Sequence, residues 1–521
     1  MQSETMPSEL NLSAPPTIPQ ARTYVSKQQS EYSEYDFTKG TKIRVDIPRL
    51  QRSYLMKDSF IRFRLNLDFT YAGPDNSILC FERGGAFGIF DRIEVYDYLG
   101  GTLLEQTNNI PVLSCLLQDI ENNIQDTCGK ISANVGLSTA ISQRLETNSV
   151  FTSNSRQVSF LQSPLNGDII ADLSPDAPGI GRFVTIEISI PVMSFLGLLS
   201  DKYVPLHNGF SVYFYLSNPE NTLMARDDDF AGSGNPLTEN KISSMNAWIS
   251  NFEYVCSIME LGENAESIVL ATEPLVIHSK QYRHFRDIVL GGGLQSNFRF
   301  DLNLNVVSLR NLFMTMIPVI WQNNFGVPTY SHRIRNFLQN WNFQYGSSYL
   351  PEIAGITCRS STIPNSKKGY DIVTDQDADY FKAIGFTQCL EELSKCGNGN
   401  LTNIDKKSYM IDLSSGAPSQ AYDQPLIQTG GVFVPFQYLA SSGLDQQGAL
   451  PFIGKFACGL NTRLSKKSTV SGIDTNGLQL SINGQFDMDR YTNMVDAYMD
   501  VFAEHDAFIQ IIPGVATTVT F

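Results

Sequence analysis

The second half of this chain repeats short sequence patterns of its first half in the same order. An apolar–Arg–apolar–Asp–apolar pattern, for example, stands at 43–47 and again at 298–302. The separations between matched segments are 255, 253, 247, 240 and 268 residues, which vary as loop insertions would make them vary. The alternative is that all-β domains share turn sequences by chance. Five collinear matches favour a repeat, and a repeat predicts two similar folding units. The matched segments are Ile43–Ile47 with Phe298–Leu302, Phe60 and its strand with Phe313 and its strand, Tyr98–Glu105 with Tyr345–Glu352, Asp172–Pro178 with Asp412–Pro418, and Asn208–Gly209 with Asn476–Gly477.

Both halves consist mainly of strand-like segments. In "KIRVDI" the apolar residues Ile43, Val45 and Ile47 alternate with polar ones, which is typical of a half-buried strand. A helical period replaces the alternation at "IPVLSCLLQDIENNI" and at about 376–395. Each half contains about eight strand-like segments, the number in a jelly roll of two packed sheets. The sequence therefore predicts an all-β fold of two tandem jelly-roll β-sandwich domains, a double jelly roll, with short inserted helices.

Three regions are expected along the chain of 521 residues. Residues 1–38 are polar and predict an N-terminal arm, either a disordered tail or a strap that becomes ordered along a neighbouring subunit. Residues 39–262 are assigned to the first jelly roll. Residues 263–521 are assigned to the second, including the C-terminal strand and tail.

Charge and hydropathy narrow the class of protein. The net charge is −15, and the paired lysines at 367–368, 406–407 and 466–467 are interpreted as solvated loops, so we expect no specific nucleic-acid binding. Only 17% of residues are charged and 11% are aromatic, which favours a protein that buries outer surface against copies of itself. We expect no signal peptide, because the first residues have neither a basic start nor an apolar block. No apolar run reaches the about 20 residues of a membrane span.

The cysteines do not indicate a metal or disulfide framework. None of the eight forms a CxxC pair, and none lies near a histidine at zinc-ligand spacing. Most stand in apolar runs, so we interpret them as reduced thiols of the core. They are Cys80, Cys115, Cys128, Cys256, Cys358, Cys389, Cys396 and Cys458.

No arrangement of residues predicts catalysis. The histidines at 207, 278, 284, 332 and 505 are scattered, and His505 is interpreted as a surface residue because its acidic neighbours in sequence would lie on the opposite face of a strand. Gly291–Gly293 lacks the residues of a phosphate loop and is interpreted as a flexible connection. We expect no catalytic, cofactor-binding or metal-binding residues, and hence no enzyme.

Two acidic runs need separate mention. Asp375, Asp377 and Asp379 resemble the start of a calcium loop, but Tyr380 and Phe386 stand where that loop needs Gly and Glu. These acids are better interpreted as helix N-terminal residues. The run 227–229 is interpreted as a solvated loop, with a cation between subunits as the minor alternative.

Taken together, the repeat, the polar arm, the helix in each half and the lack of a catalytic motif resemble the double jelly-roll major capsid proteins of double-stranded DNA viruses. The resemblance covers about residues 40–521 and is nearest to the virophage and Polinton-like virus branch. It implies a homotrimer of pseudo-hexagonal outline whose copies tile an icosahedral shell around the genome. It also implies trimer–trimer contacts, penton and minor capsid proteins as further partners, and location in the virion after assembly inside the host cell.

Two alternatives remain open at this point. One is another viral structural protein, a penton or minor capsid protein, although a penton normally needs only one jelly roll. The other is a two-domain carbohydrate-binding β-sandwich protein. That function calls for exposed tryptophans, whereas Trp248, Trp321 and Trp341 stand in apolar runs and are interpreted as core residues.

Overall fold

The fold was obtained as a computed structural model of the chain. It describes residues 21–71, 77–81, 85–121, 169–172, 181–191, 203–227, 242–271, 274–319, 322–323, 325, 329–330, 333–350, 355–357, 384–397, 426–429, 432–435, 455–463, 472–486 and 494–521. All structural statements that follow refer to these residues.

The first jelly roll consists of two antiparallel sheets that pack face to face. One has the order β1-β14-β5-β10 and the other β3-β12-β7-β8. Its strands are β1 (Ala21–Gln29), β3 (Lys42–Ile47), β5 (Phe60–Tyr71), β7 (Phe90–Asp97), β8 (Leu103–Asn108), β10 (Gly181–Pro191), β12 (Phe210–Leu216) and β14 (Ile242–Leu261).

The second jelly roll has the same strand order. One sheet runs β15-β25-β17-β23 and the other β16-β24-β18-β19. Its strands are β15 (Leu275–Val289), β16 (Asn297–Leu302), β17 (Leu309–Pro318), β18 (Leu338–Tyr345), β19 (Ser348–Leu350), β23 (Cys458–Asn461), β24 (Leu480–Phe486) and β25 (Ala497–Ile512). The sheets of each roll thus match strand for strand, and the predicted double jelly-roll fold is confirmed.

Shorter elements extend or join these sheets. The additional strands are β2 (Glu34–Asp36), β4 (Ser53–Leu55), β6 (Ser77–Phe81), β9 (Ile169–Asp172), β11 (Val204–Pro205), β13 (Leu223–Asp227), β20 (Ile356–Thr357), β21 (Leu426–Thr429), β22 (Val432–Pro435) and β26 (Ala516–Thr520). The helices are α1 (Ile110–Glu121), α2 (Pro219–Thr222), α3 (Glu263–Leu270) and α4 (Ile384–Cys396), with a 3-10 turn at Gly85–Ile89.

Alternating side chains build the core. In β5 the side chains of Ile61, Phe63 and Leu65 are buried between the sheets, whereas the intervening Arg62 and Arg64 lie on the outer face. A strand places successive side chains on opposite faces, so this alternation fixes which face turns inward. Each such apolar side chain contributes about 1.5–3 kcal/mol when fully buried.

Helices α1 and α4 occupy corresponding places, after the edge strands β8 and β19. Helix α1 matches its sequence prediction and is buried on all sides. The predicted helix at 376–395 is described from Ile384 onward. Gly459 on β23 lets α4 approach, since a Cβ there would lie 2.7 Å from Leu393 Cδ1.

Four of the five matched segments of the repeat occupy equivalent strands or turns. The first pair forms β3 and β16, the second β5 and β17, and the third the turns that join β7 to β8 and β18 to β19. The last pair opens β12 and β24 on left-handed glycines, Gly209 with φ 72° and Gly477 with φ 71°. The fourth pair lies mainly outside the described residues.

The strands that follow the fourth pair do not correspond. Gly181–Pro191 forms β10 beside β5, but "VFVP" forms β22, which pairs with β21 in a separate two-stranded sheet. The strand beside β17 is β23 instead. With four residues, one of them a glycine, β23 is too short to show an alternating pattern.

Residues 21–36, which the sequence assigned to the arm, belong to the first jelly roll. Strand β1 pairs along its whole length with β14, and β2 pairs with the middle of the same strand. In this structure they pair with β14 of their own chain, and residues 1–20 of the predicted arm lie outside the described residues. The sequence missed β1 because its residues are mostly exposed and show no alternation.

Candidate functional site at the junction of the two jelly rolls

A set of buried polar contacts lies on β25 and its neighbours. It is next to the region where the two rolls meet, called here the junction. On the first roll, the junction is formed by β8 and α1; on the second, by β15 and the outer face of its sheet. The side-chain amide of Gln281 donates to the backbone oxygen of Leu104 at 3.0 Å. Lys280 Nζ lies 3.5 Å from Glu121 Oε1 at the end of α1. The edge strands of the two rolls are therefore joined through side chains.

A buried charge cluster lies at the centre of the junction. Asp119, in the last turn of α1, forms a salt bridge with Arg333 of the second roll, and both side chains are 0% exposed. Lys455 Nζ, also buried, lies 3.9 Å from the second carboxylate oxygen of Asp119. Because breaking a buried ion pair leaves charge in a medium that solvates it poorly, these groups hold the two rolls in one arrangement.

Strand β25 contributes a second group of buried acids. Asp500, fully buried, accepts hydrogen bonds from Arg286 Nε and from His284, both at 2.7 Å. Burial opposes ionisation of Asp500, but the hydrogen bonds and charges of His284 and Arg286 prevail and lower its pKa. Asn109, which directly precedes α1, lies 3.3 Å from His284 Nε2, so the first roll touches this group as well.

Further along β25, Asp506 and Glu504 share one arginine. Arg310 lies 2.9 Å from Asp506 Oδ1 and 3.2 Å from Glu504 Oε1. Asp506 also contacts His278 at 2.8 Å and accepts from the Ser308 hydroxyl at 2.5 Å. Each acid is thus paired with polar or basic groups of its own roll, an arrangement that holds these strands together.

The C-terminal hairpin β25–β26 supplies the last part of the junction. The Thr517 hydroxyl donates to Asp97 at 2.8 Å and accepts from Asn208 at 3.0 Å. Asn208 Oδ1 in turn accepts from the backbone N–H of Gly514 at 2.7 Å. These contacts tie the hairpin of the second roll to the end of β7 and to the loop before β12 in the first.

The histidines are placed differently from what their sequence positions suggested. His207 bonds Glu266, and His278 and His284 bond acids of β25. The interpretation of His505 as a surface residue is wrong: it is 0% exposed in β25, and burial lowers its pKa to about 4. The His505 ring does face away from its acidic neighbours, but both faces of β25 are covered here, so the ring is not exposed. His332 lies outside the described residues.

One tryptophan interpretation is also wrong. Trp341 is buried as expected, but Trp248 lies half-buried on the outer face of the first roll, where it stacks on the exposed Phe183 with ring centroids 5.7 Å apart. The register places Trp248 opposite Asn66, whose neighbours Leu65 and Leu67 fill the inner face. Trp321 lies outside the described residues.

Of the remaining motifs, only Gly291–Gly293 and Asp227 lie within the described residues. Gly291–Gly293 forms a tight turn, in which Gly292 and Gly293 have φ of 65° and 80°. Asp227 ends β13, whereas 228–229, the acids at 375–379 and the three lysine pairs lie outside the described residues. Among described residues, no group of three or more His, Cys, Asp or Glu is placed to hold a metal ion. None of the described helices is long and apolar enough to cross a bilayer.

The described cysteine side chains lie in the interior. Cys115, Cys256, Cys389, Cys396 and Cys458 are buried. Burial raises the pKa of the Cys256 thiol to about 12, so it carries no thiolate at neutral pH.

Sequence reasoning did not find the residues of the junction. Asp119 gave the clearest signal, as an acid within a mainly apolar helix. Its partners Arg333 and Lys455 follow it by more than 200 residues, and no local spacing links them.

The fold is shared with proteins from virus particles. A chain in the cryo-EM structure of the Sputnik virophage is similar with a TM-score of 0.58 and 12% sequence identity, over 99% of this chain and 92% of that chain. The mavirus major capsid protein is similar with a TM-score of 0.52 and 10% identity, over 99% and 95%. The sequence matches no protein-family model and no curated protein sequence. At these identities the similarity establishes the double jelly-roll fold.

Proposed function

We propose that this chain is a major capsid protein, a non-enzymatic building block of a virus shell. The observation that carries the proposal is the pair of jelly rolls with equal strand order, held by the buried Asp119–Arg333 contact. The mavirus major capsid protein shares this fold over nearly its whole length. A rigid pair of similar units suits a shell because each chain then presents two similar sets of edges to its neighbours.

The proposal includes an assembly and partners. Three chains form a pseudo-hexagonal trimer, trimers tile an icosahedral shell around the genome, and penton and minor capsid proteins complete it. The chain makes no specific nucleic-acid contact and acts in the virion. We also propose two domains that divide near residue 263, where α3 begins, with the first starting at strand β1 instead of at residue 39.

Light scattering after size-exclusion chromatography, followed by negative-stain microscopy, tests this function. The expected result is trimers of about three times 58.0 kDa with a hexagonal outline. A monomer that persists at high protein concentration contradicts the proposal.

One observation favours a second candidate. The stacked Trp248–Phe183 pair on the outer face provides the kind of aromatic surface on which a sugar ring can lie. Retention of the purified chain on a glycan array, lost in Trp248→Ala, would support the carbohydrate-binding alternative. If the chain binds no glycan and forms trimers, the results support only the capsid function.

A further inference from the structure

The two rolls differ most at their first strands. Strand β1 of the first roll and β15 of the second occupy the same edge position beside β14 and β25. Strand β15 lies against the other roll, whereas β1 is exposed along most of its length. Equivalent edges of similar sheets therefore have different surroundings in a single chain.

The hydrogen-bond registers give the equivalence residue by residue. Phe60 lies opposite Val255, and its repeat partner Phe313 lies opposite Phe502. Two residues further on, Ser257 lies opposite Val25, and Glu504 lies opposite Tyr282. Val25 is thus the counterpart of Tyr282.

Exposure differs sharply at these counterparts. Val25 is 63% exposed, whereas Tyr282 is 1% exposed. Two positions along the same face, the side chain of Lys27 is 54% exposed and that of its counterpart His284 is 12% exposed. The first roll shields the β15 positions, since Asn109 contacts His284 and Glu121 contacts Lys280.

The matching partner edge is also uncovered. Strand β8 forms the first roll's side of the junction, and its counterpart β19 in the second roll is exposed or half-buried. Within one chain, β8 and β15 therefore contact each other. Their counterparts β19 and β1 could form an equivalent contact, but among the described residues the outer faces of these two strands meet no partner. A second copy of the chain carries the edge that matches each strand.

We propose that the outer face of β1, with Thr23, Val25 and Lys27, is the surface on which a second copy of this chain docks, through the β19 edge of its second jelly roll. The contact is head-to-tail and repeats around a closed ring. The exposed Phe183 and the half-buried Trp248 lie on the same outer face, as an interface anchor would. This inference rests on the proposed shell function and names the surface that function uses.

The test compares two matched variants. Val25→Asp places a charge on the proposed surface, and Leu294→Asp places one on a turn at a residue that is 76% exposed. Sedimentation over a concentration series gives the dissociation constant of the oligomer. Val25→Asp should raise it by roughly tenfold or more, because a charge buried at an interface without a partner is costly. Leu294→Asp should leave it unchanged.

Hydrogen exchange gives a second readout that needs no substitution. Amides of the peptide that contains 21–29 should gain protection when the wild-type chain is concentrated from monomer to oligomer, and those around Leu294 should not. If the wild type forms oligomers, and Val25→Asp does so equally well with no added protection at 21–29, the surface is wrong while the shell function stands. If the wild type stays monomeric at all concentrations, the shell function itself fails, and the surface with it.

Discussion

The Asp119–Arg333 contact allows a quantitative test of what holds the two rolls together. Replacing Asp119 by Asn keeps the side-chain size and removes the negative charge. Arg333 and Lys455 then remain buried, at 0% and 1% side-chain exposure, without that carboxylate. Breaking a buried ion pair from one side costs about 3–5 kcal/mol, so we expect the free energy of unfolding to fall by that amount.

A matched control separates burial from the ion pair itself. Asp301→Asn removes a carboxylate that lies 2.9 Å from Arg299, but these side chains are 61% and 47% exposed. An exposed pair contributes about 0–1 kcal/mol. The double variant Asp119→Leu/Arg333→Met should recover part of the lost stability, because apolar residues often replace a buried pair at little cost.

Equilibrium unfolding in urea at neutral pH measures all three variants. Circular dichroism and tryptophan fluorescence should give coincident transitions, as a single cooperative unit requires. If the two rolls unfold separately, the loss of stability in Asp119→Asn should appear as unfolding of one roll at a lower urea concentration. A loss for Asp119→Asn that is no larger than the loss for Asp301→Asn would refute the reasoning from burial.

Three further predictions concern single residues. Gly209→Ala should destabilise the chain more than Gly477→Ala: both have φ near +70°, but a Cβ on Gly209 would lie 2.8 Å from the Ile47 oxygen whereas one on Gly477 meets nothing within 4 Å. Equal shifts in melting temperature would contradict this. Cys256, with its pKa raised to about 12, should resist alkylation in the native chain and react in urea, as mass spectrometry can show; rapid native labelling would be the contrary result. The pKa of His505 is lowered to about 4 in the folded chain. In the unfolded chain it is about 6.5, so above that pH the ring is neutral in both states and stability is at its full value. That stability is lost as pH falls toward 4, by at most about 3 kcal/mol, because only the unfolded state binds the proton in that range. His505→Gln should remove this part of the pH dependence of urea unfolding, and an unchanged profile would argue against a neutral buried ring.

Alternation of apolar and polar residues predicted the strands that have one face buried in the core of their own roll. Strand β3 shows it because Ile43, Val45 and Ile47 all point between the sheets. Strand β1 does not show it, since neither of its faces is buried within one chain. Alternation reports that one face of a strand is buried. Strand β1 is paired but hardly buried, so its sequence does not alternate.

The interpretation of His505 failed for the opposite reason. The run "MDVFAEHDA" alternates apolar and charged residues, which is typical of a strand with one wet face. In the structure Asp500, Glu504 and Asp506 are buried too, because arginines and histidines from β15 and β17 neutralise them. Those partners lie about 200 residues away in sequence, and no window of local pattern contains them.

The repeat connects these two failures. Counterpart positions in the two rolls have similar backbones, so a difference in side chain at such a position reflects a difference in neighbours. Tyr282 carries a hydroxyl that bonds Glu504 beneath the first roll, whereas Val25, on the same face of β1, has no polar side-chain atom and is 63% exposed. Val25 stands on an edge strand, and an uncovered sheet edge offers a surface for association. In the proposed assembly, the exposed Val25 therefore marks where a neighbouring copy would bind, and the buried Tyr282 shows how such a contact is made.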